Sequence, residues 1–128
     1  MLLRLALVCL GSALGGGARY LVSLGMARLL GTGFPFGTLT VNVVGSFLIG
    51  LIMQLGLTTA AISPNTRLFL TTGIMGGLTT YSTFNYETLG LMMDGEWRLA
   101  TMNLTVTLLV CLAAGVAGLA AGRALAGT

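Results

Sequence analysis

The chain has no lysine and no histidine, and only three acids and six arginines among its 128 residues. Charged residues make up 7%, against roughly 25% in an average soluble domain. A soluble fold of this size needs a charged shell, and this sequence cannot supply one. The missing histidines and scarce acids leave almost no material for acid–base catalysis or for metal binding by side chains. Ser82 has no histidine to activate it and the acids lie at span ends, so the sequence does not read as an enzyme. The arginines stand singly with no basic patch, which argues against nucleic acid as a partner. There are only two cysteines, Cys9 and Cys111, both inside apolar runs, and they read as packing thiols rather than a disulfide. What is abundant is apolar surface. Hydrophobic residues are 55% of the chain and the mean hydropathy is +0.98, values that fit an integral membrane protein of one small domain.

A spanning helix needs about 20 mostly apolar residues. The stretches free of charge are Leu5–Ala18, Leu29–Thr66, Leu68–Tyr86 and Leu99–Gly122. The first is short enough to stand as a signal peptide. It is read here as part of a helix that continues past Arg19, with that arginine facing a polar cavity or snorkelling. In the second, Gly31 to Gly37 with Pro35 reads as a loop, and Thr38 as the N-cap of the next helix. Ser63-Pro64 reads as N-cap and first-turn proline, Asp94-Gly95-Glu96 as a turn, and Gly122-Arg123 as a helix end. The expected fold is therefore all-α and integral to the membrane. It is one domain of four transmembrane helices, at about residues 2–29, 38–62, 64–92 and 96–122.

Glycine is the other surplus, at 20 residues. Gly11/Gly15, Gly73/Gly77 and Gly118/Gly122 are small-xxx-small pairs that let helix backbones approach closely. Helices packed so tightly leave little room for a pore within one subunit, and an oligomer is expected. Four spans put Arg4, Arg67 and Arg123 on one side of the membrane and Arg19, Arg28 and Arg98 on the other. An equal split is what a chain inserting in both orientations would show. It is also what so few charges could give without meaning.

The third span carries Gly73, Gly76 and Gly77 and then five consecutive hydroxyls, Thr79 to Thr83. This is poor helix material, and a break near the middle of that helix is expected. Freed carbonyls at a break are ligands for a hard cation. A packed, Thr-rich helix that bonds back to its own carbonyls is the alternative. Tyr81 and Phe84 share a helix face, where their positive ring edges could hold a small anion or simply pack. Asn42 offers an amide donor to an anion or to a neighbouring helix. Asn103, Thr107 and Cys111 form an i, i+4, i+8 stripe, which reads as a packing face or as a hydrated track.

Three motifs occur in order: Gly16-Gly17-Ala18-Arg19-Tyr20, Gly37-Thr38-Leu39-Thr40-Val41-Asn42-Val43-Val44-Gly45-Ser46-Phe47, and Gly76-Gly77-Leu78-Thr79-Thr80-Tyr81-Ser82-Thr83-Phe84. Together they resemble the Fluc/CrcB fluoride channel family over nearly the whole chain. The resemblance implies a passive, fluoride-selective channel that exports F⁻ across the bacterial inner (plasma) membrane. It also implies an antiparallel, dual-topology homodimer in the lipid bilayer, with a structural Na⁺ at the dimer interface. The matching pore positions are Asn42, Tyr81, Ser82, Thr83 and Phe84, with Arg19 in a vestibule, Glu87 following the motif, and a hydroxyl track falling on Thr107 and Cys111. The matching Na⁺ ligands are the backbone carbonyls of Gly76 and Thr79. Two positions depart from the family pattern: Tyr81 stands where Phe is usual, and Cys111 where a hydroxyl is common. A small dual-topology multidrug-type cation transporter shares the length and span count. It needs a mid-span acid in the first helix, and Leu5–Ala18 has none.

Overall fold

A computed structural model describes residues 1–127, and among them the regular structure is entirely helical. Helix α1 covers Leu2–Leu30, α2 Phe36–Thr58, α3 Pro64–Leu68, α4 Gly76–Leu78, α5 Tyr81–Met93 and α6 Trp97–Ala126. A seven-residue π-helical segment, Phe69–Met75, joins α3 to α4. Three helices are long and apolar enough to cross a membrane by length and composition: α1 with 29 residues, α2 with 23 and α6 with 30. At 1.5 Å rise per residue even α2 reaches about 35 Å, against roughly 30 Å of hydrocarbon. The segment from Pro64 to Met93 is a bent helix instead of one continuous rod.

The ends follow local chemistry. Leucine and alanine dominate α1, which stops at Gly31, where φ is +79°. Helix α2 begins two residues earlier than expected, with Pro35 preceding it. Thr38 is therefore not the N-cap but lies in the first turn, and its hydroxyl turns sideways to Glu87. Ser63 does cap α3, accepting from the Thr66 amide at 3.1 Å, with Pro64 in the first turn. Asp94 and Gly95 make the turn before α6, and Gly95 has φ +78°. Gly122 does not end α6. The helix runs on to Ala126 and closes at Gly127, while Gly122 lies against Gln54 of α2.

Two glycine seams hold the helices together. Along the first, α1 lies on the bent helix: a β-carbon at Gly11 would come within 2.7 Å of the Phe69 carbonyl and the Gly73 Cα. Gly15 and Gly77 continue it against the backbone of Ile74 and Ser12. Along the second, α2 lies on α6, with Gly50 against the Gly115 carbonyl and Gly118 against that of Phe47. Backbone contact of this kind gives dispersion energy to helices that, in lipid, gain little from the hydrophobic effect. The apolar core between the seams is small: Val41, Met75 and Leu78, with Val22, Leu48 and Ile74 packed around them. Many large apolar side chains point outward, among them Leu104, Leu108 and Leu112 of α6.

Candidate functional site at the helix break

The bent helix opens at Thr79 and Thr80, which are both extended (φ −81°, ψ 155° and φ −154°, ψ 124°). The glycines upstream widen the helix without breaking it. The break falls two residues past Gly77, where hydroxyls can cap both new ends. On one side the Thr79 hydroxyl donates to the Met75 carbonyl at 2.8 Å, and the Thr79 amide donates to the same oxygen at 3.0 Å. On the other, Thr80 is the N-cap of α5: its hydroxyl accepts from the Thr83 amide at 3.2 Å and donates to the Thr83 hydroxyl at 3.0 Å. Back-bonding to the i−4 carbonyl thus occurs at Thr71 and Thr79, but it does not keep the helix whole.

Asn42 clamps the break from α2. Its Oδ1 accepts from the Thr80 amide at 2.8 Å, and its Nδ2 donates to the Thr80 carbonyl at 3.1 Å. This is helix-to-helix use of the amide, and it leaves one Nδ2 hydrogen over. In a continuous helix the Thr80 amide would serve the carbonyl of Gly76. That carbonyl loses its usual donor to Asn42.

The break faces an open groove of about 1440 Å³, lined by parts of α2, the bent helix and α6. Asn42, Gly76, Thr79, Tyr81, Phe84, Thr107 and Cys111 all border it. The Tyr81 and Phe84 rings lie 5.9 Å apart, centroid to centroid, and are tilted by 60°. This is an edge-biased geometry, with Tyr81 largely exposed. The groove therefore brings together most of the positions singled out in the sequence. Three stand apart from it. Thr83 lines a second cavity of about 270 Å³, with Thr38 and Glu87, at the start of α2. Ser82 is exposed on α5, and Arg19 is half-buried on α1; neither borders either cavity.

Two contacts are absent from the sequence reading. Thr38 donates to the Glu87 carboxylate, tying the first turn of α2 to α5. Deeper in, Asn103 of α6 donates to the Thr88 hydroxyl at 2.9 Å and accepts from the Thr107 hydroxyl at 3.2 Å. Thr107 thereby spends its proton on Asn103 and has only lone pairs left to offer. The Asn103–Thr107 stripe is bonded into the protein interior, which is the packing side of the two readings. Among the described residues no three His, Cys, Asp or Glu cluster as a metal site, so carbonyl oxygens are the cation ligands this chain can offer.

An apolar helical protein, with a capped helix break opening beside aromatic edges and an amide, belongs to the class of membrane proteins that handle ions at mid-helix. The family model described as "CrcB-like protein, Camphor Resistance (CrcB)" matches residues 6–119. A protein of Anaeromyxobacter dehalogenans named fluoride-specific ion channel FluC is 55% identical over 124 residues, covering 97% of this chain and 98% of its own. Proteins of the same name from Geobacter metallireducens and Clostridium perfringens are each 49% identical, over 122 and 107 residues; they cover 95% and 84% of this chain, and 98% and 84% of their own. The chain belongs to the CrcB family.

Proposed function

We propose that the chain is a fluoride-selective passive channel, which exports F⁻ across the bacterial inner membrane and lowers cytoplasmic fluoride. The observation that carries this reading is the capped break at Thr79–Thr80 opening onto the groove, in a chain 55% identical to a named fluoride-specific channel. Relatives named as ion channels do not favour the multidrug-type transporter, and α1 offers no mid-span acid for proton exchange.

In this reading the chain crosses the membrane four times, the bent helix supplying the third crossing. Two copies assemble antiparallel, each covering the other's groove. The groove leaves the break and the aromatic pair uncovered in one chain, which supports a second copy over it. The equal arginine split supports insertion in either orientation. Asn42 offers its remaining N–H to the anion, and the Tyr81 and Phe84 ring edges carry it without a full positive charge that would trap it. Ser82 and Thr83 extend the path along α5 and Arg19 draws anions to its mouth. Thr107, with its proton spent on Asn103, orders water along the wall.

The carbonyls of Gly76 and Thr79 suit a structural Na⁺ at the dimer interface. Both residues border the groove, and the Gly76 carbonyl lacks its usual helical donor. When bound, the cation would tie the two breaks together, off the anion path. These oxygens hold their positions through the Asn42 clamp and the Thr79–Met75 bonds.

The test is fluoride release from liposomes containing the purified protein, followed with a fluoride electrode and with chloride as control. Rapid fluoride release with little chloride, unaffected by a collapsed proton gradient, is expected. Comparable chloride flux, or release that stops without a proton gradient, would overturn the reading. Replacing Na⁺ by a large organic cation should weaken the dimer. A dimer and a flux that both persist unchanged would remove the cation site from the proposal.

A further inference from the structure

Helix α5 carries the aromatic pair, yet apolar packing hardly fixes it. Its one buried residue is a threonine, Thr88, at 3% exposure. Tyr81, Tyr86, Leu89 and Met93 all point outward. Polar contacts hold it instead: the Thr80–Asn42 clamp at its start, Glu87 with Thr38, and Thr88 with Asn103.

The third contact belongs to a chain whose direction is forced. The Phe84 carbonyl can only accept, so the Thr88 hydroxyl donates to it, at 2.8 Å. The Thr88 oxygen must then receive a hydrogen from Asn103, which turns the amide nitrogen toward Thr88 and the amide oxygen toward Thr107. Thr107 in turn donates. Protons thus all point one way, Thr107 to Asn103 to Thr88 to Phe84, from the groove wall on α6 to the backbone of an aromatic on α5. Asn103 is 1% exposed, and both ends of its amide are used. Aligned bonds of this kind polarise one another, and a buried chain with one link missing leaves a polar group unpaired.

We propose that Asn103 is a positioning residue for permeation: by fastening Thr88 it sets the distance between the Phe84 ring and the Thr107 wall. The inference rests on the channel reading. It adds to that reading a residue that borders neither cavity and would touch no anion. Removing the link frees α5 to rock about the Asn42 clamp, and the ring edge then no longer holds its place in the path.

The experiment compares Asn103→Leu, Thr88→Val and the double variant, each reconstituted at less than one channel per liposome. The fraction of liposomes that empty counts folded channels, and the emptying rate reports conduction per channel. A merely structural role moves the first alone. The expected result is a rate at least tenfold lower in each single variant, a similar emptied fraction, and no further loss in the double variant, because both substitutions cut one chain. Wild-type rates in both single variants would overturn the proposal. So would a smaller emptied fraction at an unchanged rate, or losses that multiply in the double variant. Should Asn103→Leu fail to fold, Asn103→Asp keeps the shape and the Thr107 contact while removing the donor to Thr88, and the same fall in rate is expected. Wild-type protein that releases no fluoride would instead sink the channel reading itself.

Discussion

Substituting Asn42 by leucine removes two bonds at one residue, Thr80, and keeps much of the side-chain bulk. Thr80 is only 9% exposed, so its amide and carbonyl have little water to turn to. An unpaired buried polar group costs about 1–3 kcal/mol, and two such groups together about 2–6 kcal/mol. The backbone has one ready escape. The Thr80 amide can return to the Gly76 carbonyl, closing the break toward continuous helix and swinging α5 with it. Asn42→Leu is therefore expected to lose fluoride conduction by at least 100-fold, because the path and the remaining N–H disappear together. Fluoride efflux from liposomes measures the first effect and thermal unfolding in detergent the second. Efflux within twofold of wild type, at unchanged thermal stability, would refute both the clamp and its place on the path.

The remaining predictions concern the aromatic pair, the seams and the α2–α5 tie. Phe84→Ile keeps bulk but removes the polarised ring edge, and should nearly abolish fluoride efflux while gel filtration still shows an intact dimer. Gly118→Val forces a side chain into the Phe47 carbonyl and should cost more than the usual 1–3 kcal/mol of overpacking, because backbone cannot step aside. Gly16→Ala, with nothing within 4 Å, should leave the unfolding temperature near that of wild type. Thr38→Val strips Glu87 of its hydroxyl donor and should slow efflux severalfold; a rate equal to wild type would show that the tie does not matter to conduction.

Much of this was legible in the sequence, because membrane spans are written in composition. Charge scarcity and uncharged runs located the long helices, and Ser63-Pro64 located the start of α3, since a capping hydroxyl and a donorless first residue are local facts. The small-xxx-small pairs likewise marked seams, and the model places all three pairs against neighbouring backbone or side chains. Thr38 was misread because its hydroxyl has two uses, and only the tertiary position of Glu87 decides between them. Gly122 was misread for a related reason: a glycine near a helix end looks like a stop, but here it makes room for Gln54. The hydroxyl run announced a break without its exact place. What fixes the break is Asn42, 38 residues away, taking the amide of Thr80. Thr88 gave no signal at all. One threonine among many, it matters only because the fold lays Asn103 beside it.

The π-helical segment, finally, bears on how this chain tolerates changes in length. Between Phe69 and Met75 the backbone closes wider turns than an α-helix does, so the same bonded ladder holds surplus chain. Deleting one residue there would let the segment relax into ordinary α-helix with its ladder intact. The local structure would show little damage, yet everything downstream would turn about the helix axis by roughly 100°, the angle of one helical residue. Tyr81 and Phe84 would leave the groove, and Thr80 would leave Asn42. A one-residue deletion at Phe69–Met75 is thus silent to the helix and ruinous to the site, whereas the same deletion in the exposed loop 59–63 moves only a connection.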